Sequence, residues 1–227
     1  MADTTITVQG EYSAWYPAER ATVKASVLAD GVDRDEVFAR ALESSKSVRS
    51  LIETIFDKTA GPVTWWTSDS VRVWSERPWN NQGQQLAPVF HAGVDFSAKF
   101  REFDALARWV ESVAGIDGVT VSSIEWDLTV ATRTSATVEV RSRAVKDAVA
   151  KATVFAQSIG LGSVTATALA DPGMLGDPSG GGGGPQPVFA RGAMKSMMVG
   201  GAGSPELALK PEDISVASAV DARFIAR

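Results

Sequence analysis

Ile6 and Val8 alternate with Thr5, Thr7 and Gln9, and beyond a turn near Gly10 to Pro17 the run Ala21, Val23, Ala25, Val27 alternates with Thr22, Lys24 and Ser26. A period of two with one apolar face predicts two strands, each with one buried side. The period then changes. Asp33 stands three residues before Glu36, a capping-box-like start, and Val37, Ala41, Ser45, Val48, Ile52 and Ile55 follow at steps of three and four. This spacing predicts a long amphipathic helix. It should end before Gly61-Pro62, because proline disfavours helical geometry in the residue that precedes it.

From Val63 to Glu76 the chain is rich in Val, Trp, Thr and Ser, and a polar turn at Asn80 to Gly83 leads into a second extended run, so a hairpin is expected. In the return strand Phe90, Ala92, Val94, Phe96, Ala98 and Phe100 share one side while His91, Gly93, Asp95, Ser97 and Lys99 share the other. A shorter helix carries Phe103, Leu106, Val110 and Val113. Val119, Val121, Ile124, Trp126, Leu128 and Val130 then read as a strand whose phase slips at Ser122-Ser123, as a bulge would make it. A third helix is expected from about Ser135 to Ile159, with Val138, Val145, Ala148, Ala152, Phe155 and Ile159 inward and Gly160 as its stop. Val164 to Leu169 and a run through Ile214, Val216, Val220 and Phe224 complete the strands. The resulting expectation is an α+β fold, a mostly antiparallel sheet packed with three helices in the order ββαββαβαββ. The chain reads as a single domain over 1–227, with 172–211 as a flexible Gly/Pro/Met-rich insertion before the last strand.

Chemistry narrows what such a fold could do. The sequence has no cysteine, and His91 is its only histidine. A Ser-His-Asp or Cys-His centre would have to use His91, and a transition-metal site would rest almost wholly on carboxylates, so neither catalytic residues nor a cofactor or metal is expected. The net charge of -5 comes without any Lys/Arg block, which argues against nucleic acid as a partner. No apolar run reaches the roughly 20 residues of a membrane helix. The start, Met1 to Thr5, has neither the basic nor the apolar region of a secretory signal, which makes the expected location cytoplasmic.

Individual residues remain to be weighed. His91 and Asp95 share the outer side of one strand, a conceivable proton-shuttling pair. Glu125 and Asp127 share a strand face at about 7 Å, the spacing of i, i+2 neighbours, and paired carboxylates of this kind serve glycoside hydrolysis. For both pairs a solvated strand face is the simpler reading. Gly180 to Gly184 is followed by Pro185-Gln186-Pro187 and not by Lys-Ser/Thr, so it is no P-loop; Gly160-Leu161-Gly162 follows a helix and lacks a third glycine. Met194, Met197 and Met198 lie beside those glycines and could form an adaptable contact surface. The tryptophans Trp65, Trp66, Trp74 and Trp79 fall within a single hairpin, and adjacent Trp65 and Trp66 must point to opposite faces. One of those faces can be core. The other needs cover from the chain's own helices, from a second subunit or from an apolar ligand.

The element order, the opening Ile6-Thr7-Val8-Gln9-Gly10-Glu11, the alanine-rich helix from Ala144-Val145 through Lys151-Ala152 and Ala156 to Leu161-Gly162, and the closing Ile214 to Val220 together resemble the SIMPL domain family. The resemblance implies an α+β fold without established catalytic residues. It also implies assembly, since some bacterial members form large ring or channel-like homo-oligomers, and an association with envelope or oxidative stress; the animal namesake binds a signalling kinase. The chain departs from the usual bacterial pattern in lacking an export signal and in carrying the polyglycine run. The functional expectation is a non-enzymatic homo-oligomeric scaffold or stress-associated assembly. The alternative is a binding module in which the tryptophan hairpin and the glycine-rich loop hold an apolar small molecule or a partner peptide.

Overall fold

The computed structural model describes residues 3–175 and 209–227, and the structure is α+β. Within them the strands are β1 (Thr4–Tyr16), β2 (Arg20–Gly31), β3 (Val63–Ser68), β4 (Arg72–Glu76), β5 (Val89–Phe100), β6 (Val119–Asp127), β7 (Val164–Ala170) and β8 (Ile214–Ala226). The helices are α1 (Arg34–Ile55), α2 (Phe103–Ala114) and α3 (Val130–Ser158). All strand pairs are antiparallel, in two sheets that belong to two compact units: β1, α3, β7 and β8 in one, and β2, α1, β3 to β5, α2 and β6 in the other. Most of the insertion expected at 172–211, including Gly180 to Gly184 and the three methionines, lies outside the described residues. At its ends, the Gly173 amide donates to the Asp221 carboxylate at 2.6 Å, and Leu209 packs against the core of the larger sheet.

The first unit has the sheet order β1-β8-β7, and α3 lies against β1 and β8. The expected helix face holds at Ala148 and Ala152 and fails at Val138, Phe155 and Ile159. Ala144, Ala148, Ala152 and Ala156 are buried against Ile6, Val8, Val220 and Phe224, whereas Val138, Phe155 and Ile159 are exposed. Periodicity put larger apolar side chains on the inner face together with Ala148 and Ala152, but the actual contact is a stripe of methyl groups because the helix comes very close to the strand. At Gly10 an added Cβ would lie 2.6 Å from Ala148 N and 2.7 Å from Ala148 Cβ, and nearer still to Ala144 O. Only small residues permit such an approach. The helix also starts earlier than expected, since Thr129 caps it by accepting a hydrogen bond from the Thr132 amide at 3.2 Å. The strand before it accordingly ends at Asp127, short of Leu128 and Val130. Its C-terminus stops at Gly160 as expected: φ is +81°, the Gly160 amide donates to Gln157 O, and the Leu161 amide donates to Ala156 O.

A second row of α3, at steps of four residues, runs along the outer edge of β1. The Tyr16 hydroxyl donates to Glu139 at 3.2 Å, the Arg143 guanidinium sits 5.6 Å from the Tyr12 ring centroid, the Glu11 amide donates to Asp147 at 2.9 Å, and Lys151 Nζ donates to Gln9 O at 3.1 Å. Lys151 and Asp147 are themselves 2.8 Å apart. The Lys151 hydrogen bond, followed by that of the Glu11 amide, holds the Asp147 carboxyl below its usual range, and Asp147 in turn raises Lys151. Burial, and then the Glu139 carboxylate, raise the Tyr16 phenol.

The second unit has the order β3-β5-β2-β6, with β4 also on β5. The run read as one strand from Val63 to Glu76 is two, so the order of elements is ββαβββαβαββ. Ser68 pairs with Phe96 and Arg72 with Gly93, so Asp69 to Val71 span only Val94 and Asp95 on the partner. The surplus residue ends the ladder, although the Asp69 amide still donates to Asp95 O at 2.9 Å. The bulge expected at Ser122-Ser123 is present: Ser123 pairs with Lys24 and Val121 with Ala25, and the Ser122 hydroxyl donates to Lys24 O at 3.1 Å. Asp33 caps α1 by accepting from the amides of Asp35 and Glu36. The expected face of that helix, Val37, Ala41, Ser45, Val48 and Ile52, is the buried one. With Leu106, Trp109 and Val113 of α2, the lower half of α1 covers Ala21, Val23, Val94, Phe96, Ala98 and Phe100.

Candidate functional site

Because both helices of the second unit pack on one side of its sheet, strict alternation sends the other side chains to a face that neither helix covers. On β5 these are His91, Gly93, Asp95, Ser97 and Lys99. Register sets Trp65, Lys99, Thr22 and Glu125 in one row across the strands. Thr67, Ser97, Lys24 and Ser123 form the next. Further along, Arg72, Gly93 and Leu28 align, followed by Trp74, His91 and Asp30. The charges on this face are mixed and mutually engaged: Lys24 pairs with Glu125 at 2.8 Å and Arg72 with Asp95 at 2.8 Å.

The tryptophans separate as the strand parity requires. Trp66 packs against the core of the sheet, while Trp65 at 48% and Trp74 at 44% exposure lie on the open face. Trp79 is 66% exposed, in the loop between β4 and β5, where its backbone bridges to Gln85 and the Asn80 side chain closes a turn by accepting from the amides of Gln82 and Gln84. Trp74 lies over Gly93. A Cβ on that glycine would meet Leu28 Cδ2 at 3.2 Å and the indole ring at 3.5 Å. Glycine in mid-strand is the sequence signal for such a close approach, and it was legible at Gly93. The opposite placement of Leu28, 51% exposed at the end of an otherwise polar row, was not anticipated.

His91 is drawn into this packing. Its ring stacks on Trp74 with centroids 5.3 Å apart at 20°, and its Nε2 is buried 3.5 Å from Glu76 Oε1 without making a hydrogen bond. Asp95 is turned to Arg72, so the structure does not bring His91 and Asp95 together as a pair. Glu125 is held by Lys24, and the Asp127 carboxylate accepts from the Leu128 amide at 2.8 Å. Among the described residues no group of three or more His, Cys, Asp or Glu side chains could hold a metal ion. A shallow, solvent-open depression of about 450 Å³ on this face has Lys24, Ser26, Thr67, Asp95, Phe96 and Ser97 in its lining. Such a surface can present aromatic faces and paired charges to a broad partner.

No helix among the described residues is long and apolar enough to cross a membrane. No curated protein matches the chain in sequence. A family model does: that of SIMPL, described as a protein of unknown function (DUF541), matches residues 6–224, nearly the whole chain, and the protein therefore belongs to the SIMPL family.

Proposed function

We propose that this SIMPL-family protein is a non-enzymatic, self-assembling scaffold, and that copies meet through the open face of the β3-β5-β2-β6 sheet. The observation that carries the reading is the pair of half-exposed indoles, Trp65 and Trp74, on one side of a sheet whose other side holds the core. Exposed aromatic side chains beside charged residues are features of protein contacts. The face carries Lys24, Arg72 and Lys99 together with Asp30, Glu76, Asp95 and Glu125, which lets a two-fold arrangement set unlike charges against each other. Self-association is in keeping with what the family resemblance implies, large homo-oligomers in some bacterial members. A pocket for an apolar small molecule has less support, because the depression on this face is open and only about half apolar where ligand sites are concave and mostly apolar.

Covering the exposed half of each indole is worth roughly 2 kcal/mol, and the two together about 4 kcal/mol, close to a thousandfold in dissociation constant. Light scattering of the purified protein at micromolar concentration should show a multiple of the chain mass. Trp65→Ser with Trp74→Ser should move it to smaller species without loss of folding. A wild type that stays monomeric, or a double variant of unchanged mass, overturns the proposal.

A further inference from the structure

Strand β1 is 13 residues long and, among the described residues, stands at the end of its sheet, paired with β8 on one side only. A strand so placed normally turns alternate N–H and C=O groups outward as a template for another strand, and proteins blunt such edges with lysine, proline, bulges or a covering element. The segment from Thr4 to Tyr16 contains no lysine and no proline, and its register with β8 is unbroken over its whole length. The blunting comes from elsewhere. Two of the outward backbone groups, Gln9 C=O and Glu11 N–H, are taken by Lys151 Nζ and Asp147 Oδ2 of α3 at 3.1 and 2.9 Å, and the two side chains are locked to each other at 2.8 Å.

We infer that β1 is a strand-addition site for a second copy of this chain, held shut by the Asp147–Lys151 latch. An incoming strand would run about 4.8 Å from β1, in the space these side chains occupy, and would need the same two backbone groups. Its occupant follows from the sequence of the edge. A two-fold antiparallel pairing centred on Gln9 sets Thr5 against Ser13 and Thr7 against Glu11, so no like charges face each other, and hydroxyl-bearing cross-strand pairs favour the ladder. The latch and β1 both belong to the unit that lacks Trp65 and Trp74, so the inference stands whatever becomes of the tryptophan face.

The test compares wild type with Asp147→Ala/Lys151→Ala by light scattering and by hydrogen exchange at the Glu11 amide over a dilution series. The variant should double in mass relative to wild type at high micromolar concentration. Its Glu11 amide should exchange fast when dilute and slowly when concentrated; in wild type it should exchange slowly throughout. Asp147→Asn/Lys151→Gln, which keeps an acceptor and a donor at these positions, should remain closed. If the alanine double variant does not fold, Lys151→Met, which frees only Gln9 C=O, is read in its place. A folded alanine variant, or in its absence a folded Lys151→Met, with the mass of wild type at every concentration overturns the inference.

Discussion

The close approach of α3 to β1 makes Gly10→Ala the most informative single substitution in the first unit. The new methyl group would stand 2.6 Å from Ala148 N and 2.7 Å from Ala148 Cβ, against ordinary contact from 3.4 Å. The obstructing atoms are the helix backbone atoms Ala144 O and Ala148 N and the Ala148 Cβ fixed to that backbone, none of which a rotamer change can remove. The helix must therefore retreat by at least about 0.8 Å, the difference between 2.6 and 3.4 Å at Ala148 N, and further at Ala144 O, which lies nearer still. A gap of that size forfeits a quarter to a half of the dispersion energy of each contact it opens. The contacts opened are those of Ala144, Ala148 and Ala152 with Ile6, Val8 and Val220. We expect a loss of about 3 kcal/mol, the upper end for overpacking. For a chain of this length that corresponds to a melting temperature lower by roughly 6 to 12 °C. The assay is thermal unfolding followed by circular dichroism, with Gly162→Ala as control. At Gly162 the nearest atom to an added Cβ is Arg227 O at 4.0 Å, so the control should match wild type or gain slightly. A Gly10→Ala protein that melts within about a degree of wild type would refute the alanine-stripe packing.

Three further outcomes follow from the same structure. Trp66→Ala should cost roughly 2 to 3 kcal/mol because that ring packs on the core, whereas Trp65→Ala in the isolated chain should cost well under about 1 kcal/mol; equal losses in denaturant titrations would contradict the opposite placement of the two rings. Glu125→Gln with Asp127→Asn should change stability by no more than about 0.5 kcal/mol, as expected of a half-exposed ion pair, and a several-fold larger loss would show that these carboxylates hold the fold. Asp57 accepts from the Thr59 hydroxyl and from the Thr59 and Ala60 amides, which hold its carboxyl below its ordinary value of 3.8, as Lys151 does for Asp147. A depressed carboxyl stabilises the fold above its unfolded pKa and loses that contribution as pH falls through the folded one, so stability should decline below about pH 4. Tyr16 and Lys151, both raised, stabilise below about pH 10 and lose their share as pH rises beyond it. In Asp57→Asn the acid-side decline, read from melting temperature against pH, should be shallower; an unchanged slope would count against the turn geometry.

Much of this architecture was legible in the residue pattern, and for local reasons. The alternation in β2 and β5, the Asp33 cap and apolar stripe of α1, the bulge at Ser122 and the stop at Gly160 each follow from steric and hydrogen-bonding rules that act over a few residues. The same parity rule placed Trp65 and Trp66 on opposite faces, which is why the exposed part of the candidate site could be anticipated. What the pattern misjudged was decided by partners distant in sequence. The break at Asp69 to Val71 arises from the count of residues on β5, and His91 and Asp95, on one face of β5 but about 13 Å apart along it, each find a partner on β4 instead, Trp74 and Arg72. The inner face of α3 is alanine because Gly10, more than a hundred residues earlier, lets the helix descend onto the strand. The latch on the β1 edge has the same origin. Asp147 and Lys151 read in sequence as an ordinary i, i+4 pair on a solvated helix face, and only the packing of that helix against β1 turns them toward the backbone of Gln9 and Glu11. Periodicity reports which side of an element is apolar, but the distance at which two elements meet is set by the side chains of both, and no single segment contains that information.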